Sequence, residues 1–146
     1  MELVERRAVL EAAGLTVLDE SWSGNVPEPS AAWRPIIAGS AEPSSTIRHD
    51  APDVLKRVDA EWYRQARAVG VLDGHGEFLI SVAGDGAAAE SWARVRCSAA
   101  PTLAEAMEPG WSGGGEFAAL SMSGRVVCGV TVEENEYWVL SARLDA

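Results

Sequence analysis

The sequence predicts an α+β domain in which two N-terminal helices pack on one face of a mostly antiparallel sheet of about five strands. Three observations indicate this fold class. Apolar residues recur at helical spacing in the first half of the chain. Period-two alternation is clearest near the end of the chain. The helical segments precede a run of strand segments and do not alternate with them, which is typical of α+β domains.

The N-terminal region is predicted to begin with a helix and to continue into an irregular connection. Residues 2–13 have helical spacing, and Gly14 suits the left-handed position that ends a helix. Residues 15–18 are a short strand candidate. Residues 19–50 form a Pro/Ser/Gly-rich connection, because their prolines remove backbone donors and exclude a long helix. Within it, residues 33–38 suit a short edge strand.

The second predicted helix covers residues 51–69, with Asp50 as its N-cap and Gly70 at its end. Glu61 and Arg64 are spaced to pair along it. Its apolar side chains form one stripe, which consists of Val54, Leu55, Val58, Trp62, Ala66 and Val69.

The remainder of the chain is predicted to form the sheet. The candidate strands are 71–73, 77–83, 91–98, 116–122, 125–132 and 136–144. The last two alternate most clearly, and the segment Glu133-Glu134-Asn135 between them is short enough for a hairpin. No linker or repeat divides the sequence, so residues 1–146 are expected to form a single domain.

The charge of the chain favours a basic partner. The 146 residues carry a formal net charge of −10, and the pI is about 4.6. Nucleic acids and anionic membrane surfaces are therefore disfavoured, because both repel a net anion. A basic protein is favoured, because opposite fields accelerate association. The oligomeric state is left open by the sequence.

A cytoplasmic location is expected from two features. The N-terminal residues lack the basic-then-apolar order of a signal peptide, and no apolar run approaches the ~20 residues that span a bilayer. Cys97 and Cys128 are too few for a disulfide framework and suit reduced core thiols, although a bridge between them is left open. An apolar setting on their strands argues against a thiol nucleophile.

Two sequence patterns contain residues that could be catalytic. The segment 73–77 places Asp73, His75 and Glu77 on a Gly-rich turn, and with His49 they could line the cleft of a small enzyme or ligand-binding domain. The segment 110–114 matches G-x-S-x-G, but both histidines precede it, which excludes the hydrolase order of serine, acid and histidine. We therefore predict no catalytic set, no cofactor and no metal site.

A partner-binding surface is predicted in the C-terminal half, which holds four basic and eleven acidic residues between positions 71 and 146. Its predicted members combine carboxylates with aromatic rings, and they are Trp111, Glu116, Glu133, Glu134, Glu136, Tyr137 and Trp138. Six tryptophans in one small chain are unusual. Those in predicted loops are either binding anchors or caps on the core, and Trp92, Arg94 and Arg96 are expected on an outer sheet face.

The size, the acidity, the tryptophans and the lack of a catalytic set resemble those of small bacterial immunity and antitoxin-type proteins. The resemblance is one of composition and rests on no motif. It implies an inhibitor that occludes a basic partner such as a toxin, in the most concrete version by covering a cationic active site. The two alternatives are the small enzyme or ligand-binding domain with a cleft near His49 and His75, and an accessory subunit of a larger assembly.

Overall fold

The computed structural model describes residues 3–37, 43–83, 91–107 and 114–144, with side chains from residue 6 onward. Within these ranges the chain forms one antiparallel sheet and four helices. The helices are α1 Leu3–Ala12, α2 Pro29–Ile37, α3 Val54–Val69 and α4 Leu103–Met107. The strands are β1 Thr16–Trp22, β2 Ser45–Arg48, β3 Glu77–Val82, β4 Trp92–Arg96, β5 Phe117–Leu120, β6 Val126–Val132 and β7 Glu136–Arg143.

The sheet has the strand order β1-β4-β3-β5-β6-β7-β2, so strands from both halves of the chain are interleaved. The hairpin of β6 and β7 is in regular register from Val126 opposite Arg143 to Val132 opposite Tyr137. The edge strand β2 pairs with β7, and the opposite edge strand β1 pairs with β4 across two register irregularities. The hairpin therefore lies beside an edge, with only β2 beyond it.

One face of the sheet packs against α1, α3 and α4 and holds the larger core. Trp62 of α3 lies at its centre, with its ring centroid 5.6 Å from that of Phe78 and 5.3 Å from that of Phe117. Its Nε1 donates to the Cys128 carbonyl oxygen at 3.1 Å, so the buried indole is fully satisfied. Burial of these aromatic rings anchors α3 on the sheet.

The other face is covered by α2 and by the segment that leads into it. Trp33 of α2 is buried against the sheet and donates from Nε1 to Ser81 Oγ at 2.8 Å. Trp92 of β4 is also buried here and donates to the Pro27 carbonyl oxygen at 2.8 Å. We call this the α2 face and the opposite side the α3 face.

The predicted fold class is wrong in its architecture. The sheet has seven strands within the described residues, whereas about five were expected. The same residues form four short helices, which are spread along the chain, whereas two N-terminal helices were expected. The helices cover both faces, so the expected open face is covered by α2. Of the two edge strands, β1 begins within the strand predicted at residues 15–18 but extends to Trp22, and β2 was not predicted. Their mostly exposed side chains leave little apolar alternation in the sequence.

The connection predicted for residues 19–50 is also corrected, because it contains the end of β1, all of α2 and β2. The edge strand predicted at 33–38 is wrong, since Trp33 belongs to a helix that tolerates Pro35. The strand predicted at 71–73 is absent, because those residues lie in the turn before β3.

The second predicted helix begins at Val54 and ends as predicted. Its apolar stripe packs on the core, except that Val69 is exposed. Gly70 adopts the left-handed conformation, and its N–H bonds the carbonyl oxygens of Ala66 and Arg67. Asp50 is not the N-cap and forms an ion pair with Arg48 at 3.2 Å. The predicted pairing of Glu61 with Arg64 is present as an ion pair.

Candidate partner-binding site at the β6–β7 hairpin

The predicted acidic residues cluster where β6 turns into β7. The Glu133 N–H donates to the Glu136 carbonyl oxygen at 2.8 Å, which closes the hairpin as its short connection predicts. Glu134 is exposed, and Glu133 and Glu136 are half-buried. Among the described residues no ion pair involves any of the three carboxylates. This end of the sheet therefore carries uncompensated negative charge.

Arg48 is the nearest basic residue in the strand register, because it lies opposite Glu136 on β2. Its Nε, however, is 3.2 Å from Asp50 Oδ1, and both side chains are largely exposed. An exposed pair of this kind contributes little stability and leaves the net charge of the hairpin end unchanged. We call Glu133, Glu134, Glu136 and the adjoining face of Trp138 the hairpin surface.

Trp138 lies on the α2 face of β7, between Thr131 of β6 and Thr46 of β2. Its ring is half-buried, and its buried Nε1 has no hydrogen-bond partner among the described residues. Its neighbour Thr131 is 3% exposed, and the buried Oγ1 of Thr131 is likewise unpaired within that part of the chain. Two adjacent orphaned polar atoms are costly, and such groups in a folded protein require an explanation.

Glu116 has a structural role at the start of β5. Its Oε2 accepts a hydrogen bond from the Val132 N–H at 2.8 Å, and so takes the place of a strand carbonyl where the β5–β6 ladder ends. Burial raises the pKa of this carboxyl, and the nearby charge of Glu133 contributes to the same direction. Glu116 therefore stabilises the end of β6 through this hydrogen bond, and its carboxylate is less available to a partner.

Tyr137, which was predicted as a contact residue, is not part of the hairpin surface. Tyr137 belongs to the α3-face core and is 3% exposed, because strand alternation turns it away from Trp138. Its ring centroid lies 4.6 Å from that of His49. Its contribution is therefore to hold the end of β2 against β7. Trp111 lies outside the described residues, as does most of the G-x-S-x-G segment.

The four candidate catalytic residues are divided between opposite ends of the sheet. Asp73, His75 and Glu77 lie at the beginning of β3, whereas His49 lies at the hairpin end of β2. Four strand spacings separate β3 from β2, which corresponds to about 19 Å. The two histidines therefore share no cleft, and a joint acid–base role has no geometric support.

Each of these residues has a local structural partner. Asp73 Oδ1 accepts hydrogen bonds from the N–H groups of His75 and Glu77, at 2.8 and 2.9 Å, and so closes the turn. Glu77 pairs with Arg94 across the β3–β4 ladder, with Nε donating at 2.9 Å. His49 Nε2 donates to the Glu133 carbonyl oxygen at 2.8 Å. In the described part of the chain no three His, Cys, Asp or Glu side chains converge on a common point that could hold a metal ion.

The cysteines and the β4 stripe are likewise structural. Cys97 and Cys128 are both buried and free, and burial raises the pKa of the Cys128 thiol to about 12. A thiol with so high a pKa is a poor nucleophile at neutral pH. As predicted, Trp92 of β4 faces away from the core that contains Ala93, Val95 and Cys97. The expected exposure of this face is corrected, because Trp92 is buried and Arg94 is half-buried and paired with Glu77, whereas Arg96 is exposed.

Thr131 is the residue of this site that sequence reasoning missed. In the sequence it lies between Val130 and Val132, as in an ordinary buried strand. The one signal that could have distinguished it is strand alternation, which places Thr131 on the same face as Val127 and opposite Val130.

Of the helices in the described ranges, none is both long and apolar enough to traverse a bilayer. Comparisons with protein-family models, with curated proteins and with solved structures found no match to this chain. What the protein does must therefore be inferred from the geometry of its own residues.

Proposed function

We propose that the protein is a binding module that recognises a basic protein through its hairpin surface. One observation carries the proposal. Glu133, Glu134 and Glu136 lie together at one end of the sheet, beside the half-buried ring of Trp138. None of the three carboxylates is ion-paired within the described ranges. Carboxylates around an aromatic ring are suited to Lys or Arg side chains, which combine a charged head with an apolar stem.

The charges and the ring contribute in different ways. The negative charges of the three carboxylates accelerate the encounter with a positively charged partner and make it sensitive to salt. The ring of Trp138 supplies apolar area that can be buried at little entropic cost, as in the centre of many protein interfaces. The most concrete version is an inhibitor of the immunity or antitoxin type, which covers a cationic active site. The separation of the candidate catalytic residues supports binding over catalysis.

The test compares two variants with the same change in charge. One variant is Glu133→Gln, Glu134→Gln and Glu136→Gln together, and the matched control is Glu11→Gln, Glu28→Gln and Glu105→Gln on other surfaces. Proteins from the native host are captured on each variant and on the unchanged protein, and the affinity of a retained basic protein is measured at two salt concentrations.

We expect the hairpin variant to bind the partner about tenfold more weakly at low salt, with a smaller difference at high salt, and the control variant to bind as the unchanged protein does. Equal affinity of the hairpin variant and the unchanged protein at both salt concentrations would contradict the proposal. An accessory subunit would use the same surface, and the solution mass of the purified complex distinguishes a one-to-one inhibitor from a larger assembly.

A further inference from the structure

A cleft of about 530 Å³ lies at the end of the sheet opposite the hairpin surface. Three segments form its walls, and these are residues 25–27, the β5–β6 turn at 123–125, and the end of β7 at 143–144. Its volume is within the range of small-molecule sites. Arg125 and Arg143 both line it.

Hydrogen bonds hold all three walls in place. In the turn, Ser121 Oγ accepts from the N–H groups of Arg125 and Val126, both at 3.2 Å. The Leu144 N–H donates to the Arg125 carbonyl oxygen at 2.7 Å, which ties the end of β7 to the turn. The third wall is held by the bond from Trp92 Nε1 to Pro27.

Gly124 allows the turn and the third wall to approach each other closely. It adopts a positive φ of 77°, and a Cβ atom added there would lie 3.0 Å from both Pro27 Cδ and Val26 Cγ1. Any other residue would therefore be strained in its backbone and crowded against this wall. The walls of the cleft are therefore fixed by hydrogen bonds and close packing.

Among the described residues, no ion pair joins the guanidinium group of Arg125 or Arg143 to a carboxylate. The same is true of the exposed Arg34, Arg57 and Arg96, but Arg125 and Arg143 line one cleft together. A protein with a net charge of −10 has ample carboxylates to neutralise them. Guanidinium groups bind carboxylate and phosphate through paired hydrogen bonds.

We propose that this cleft binds a small organic anion. The guanidinium groups of Arg125 and Arg143 hold its phosphate or carboxylate, and Val26, Pro27 and Leu144 contact its apolar part. The site is independent of the hairpin surface, so either can fail without the other. Its ligand is a molecule with one charged end and one apolar end.

Amide chemical shifts of the folded, ¹⁵N-labelled protein test this directly. The compounds are phenyl phosphate, benzoate, inorganic phosphate and the neutral benzyl alcohol. We expect saturable shifts at Asn25, Gly124 and Leu144 with phenyl phosphate or benzoate, at a dissociation constant of about 1 mM or below. A response to only one of the two anions identifies the charged group, and both results support the site.

The variants Arg125→Gln and Arg143→Gln are each expected to weaken binding about tenfold. Both side chains are exposed, so neither change should affect folding. The matched control is Arg57→Gln, which removes the same charge from the exposed surface of α3 and should leave binding unchanged. The absence of saturable shifts with both organic anions, equal binding of inorganic phosphate and phenyl phosphate, or undiminished binding in both cleft variants would overturn the proposal.

Discussion

At the scale of single residues, Asp59 is the clearest buried ionisable group. It is 5% exposed in α3, and its Oδ1 and Oδ2 accept hydrogen bonds from the N–H groups of Ala104 and Glu105 at 2.7 and 3.3 Å. These bonds satisfy the N-terminus of α4 and join it to α3. Burial nevertheless raises the pKa of this carboxyl from 3.8 to about 6.

The raised pKa makes a prediction about pH. Because the folded protein binds this proton more tightly than the unfolded chain, the contribution of Asp59 to stability falls as pH rises from about 4 to 6. Asp59→Asn keeps one acceptor and carries no charge. The free energy of unfolding of the unchanged protein should therefore fall relative to that of Asp59→Asn by up to about 3 kcal/mol between pH 4 and pH 7.

Urea unfolding of both proteins across this pH range measures the difference, and effects of all other groups cancel in it. A difference that is constant with pH, or that changes in the opposite direction, would show that Asp59 titrates normally in the folded protein.

At the scale of elements, the cross-strand pair of Thr131 and Trp138 leaves two buried polar atoms unpaired within the described part of the β6–β7 hairpin and its surroundings. Trp138→Phe removes an unpaired buried donor, whereas Trp33→Phe breaks the hydrogen bond to Ser81. We expect Trp138→Phe to cost at least about 1 kcal/mol less in free energy of unfolding than Trp33→Phe. Denaturant titration of both variants provides the comparison. An equal or larger loss for Trp138→Phe would indicate that its Nε1 has a partner.

Elements with strong periodicity were predictable from the sequence, whereas most of the two edge strands was not. The alternation of β6 grouped Cys128 and Val130, and that of β7 grouped Trp138 and Leu140, as the structure confirms. That these two groups lie on opposite faces of the sheet was not predicted. The edge strands β1 and β2 bury few side chains, and bulges interrupt β1, so neither leaves a clear period. Because residues 19–50 were predicted as an irregular connection, the burial of Trp92 against Pro27 was missed as well.

The candidate site likewise has some features that the sequence predicts and others that it does not. The carboxylates of the hairpin were visible in the sequence because charge and turn chemistry are local. The burial of Tyr137, the orphaned Thr131 and the cleft between Arg125 and Arg143 depend on how distant segments meet, and no single segment encodes such proximity.

At the scale of the whole molecule, charges of opposite sign lie at the two ends of the β6–β7 hairpin. Three carboxylates lie at the hairpin surface, and two arginines line the cleft at the opposite end. An acidic surface attracts a basic partner before contact is made. We propose that the hairpin surface makes the first contact with such a partner and that the cleft is a separate small-molecule site.

The hairpin surface is the proposed site of contact with positive charge. The direct measurement is an amide chemical-shift titration of the labelled protein with a short arginine-rich peptide at low and at physiological salt. We expect saturable shifts centred on residues 131–138 and on Thr46, weaker at the higher salt concentration. Shifts centred instead on the exposed side of α3, or spread evenly over the surface, would contradict the central claim.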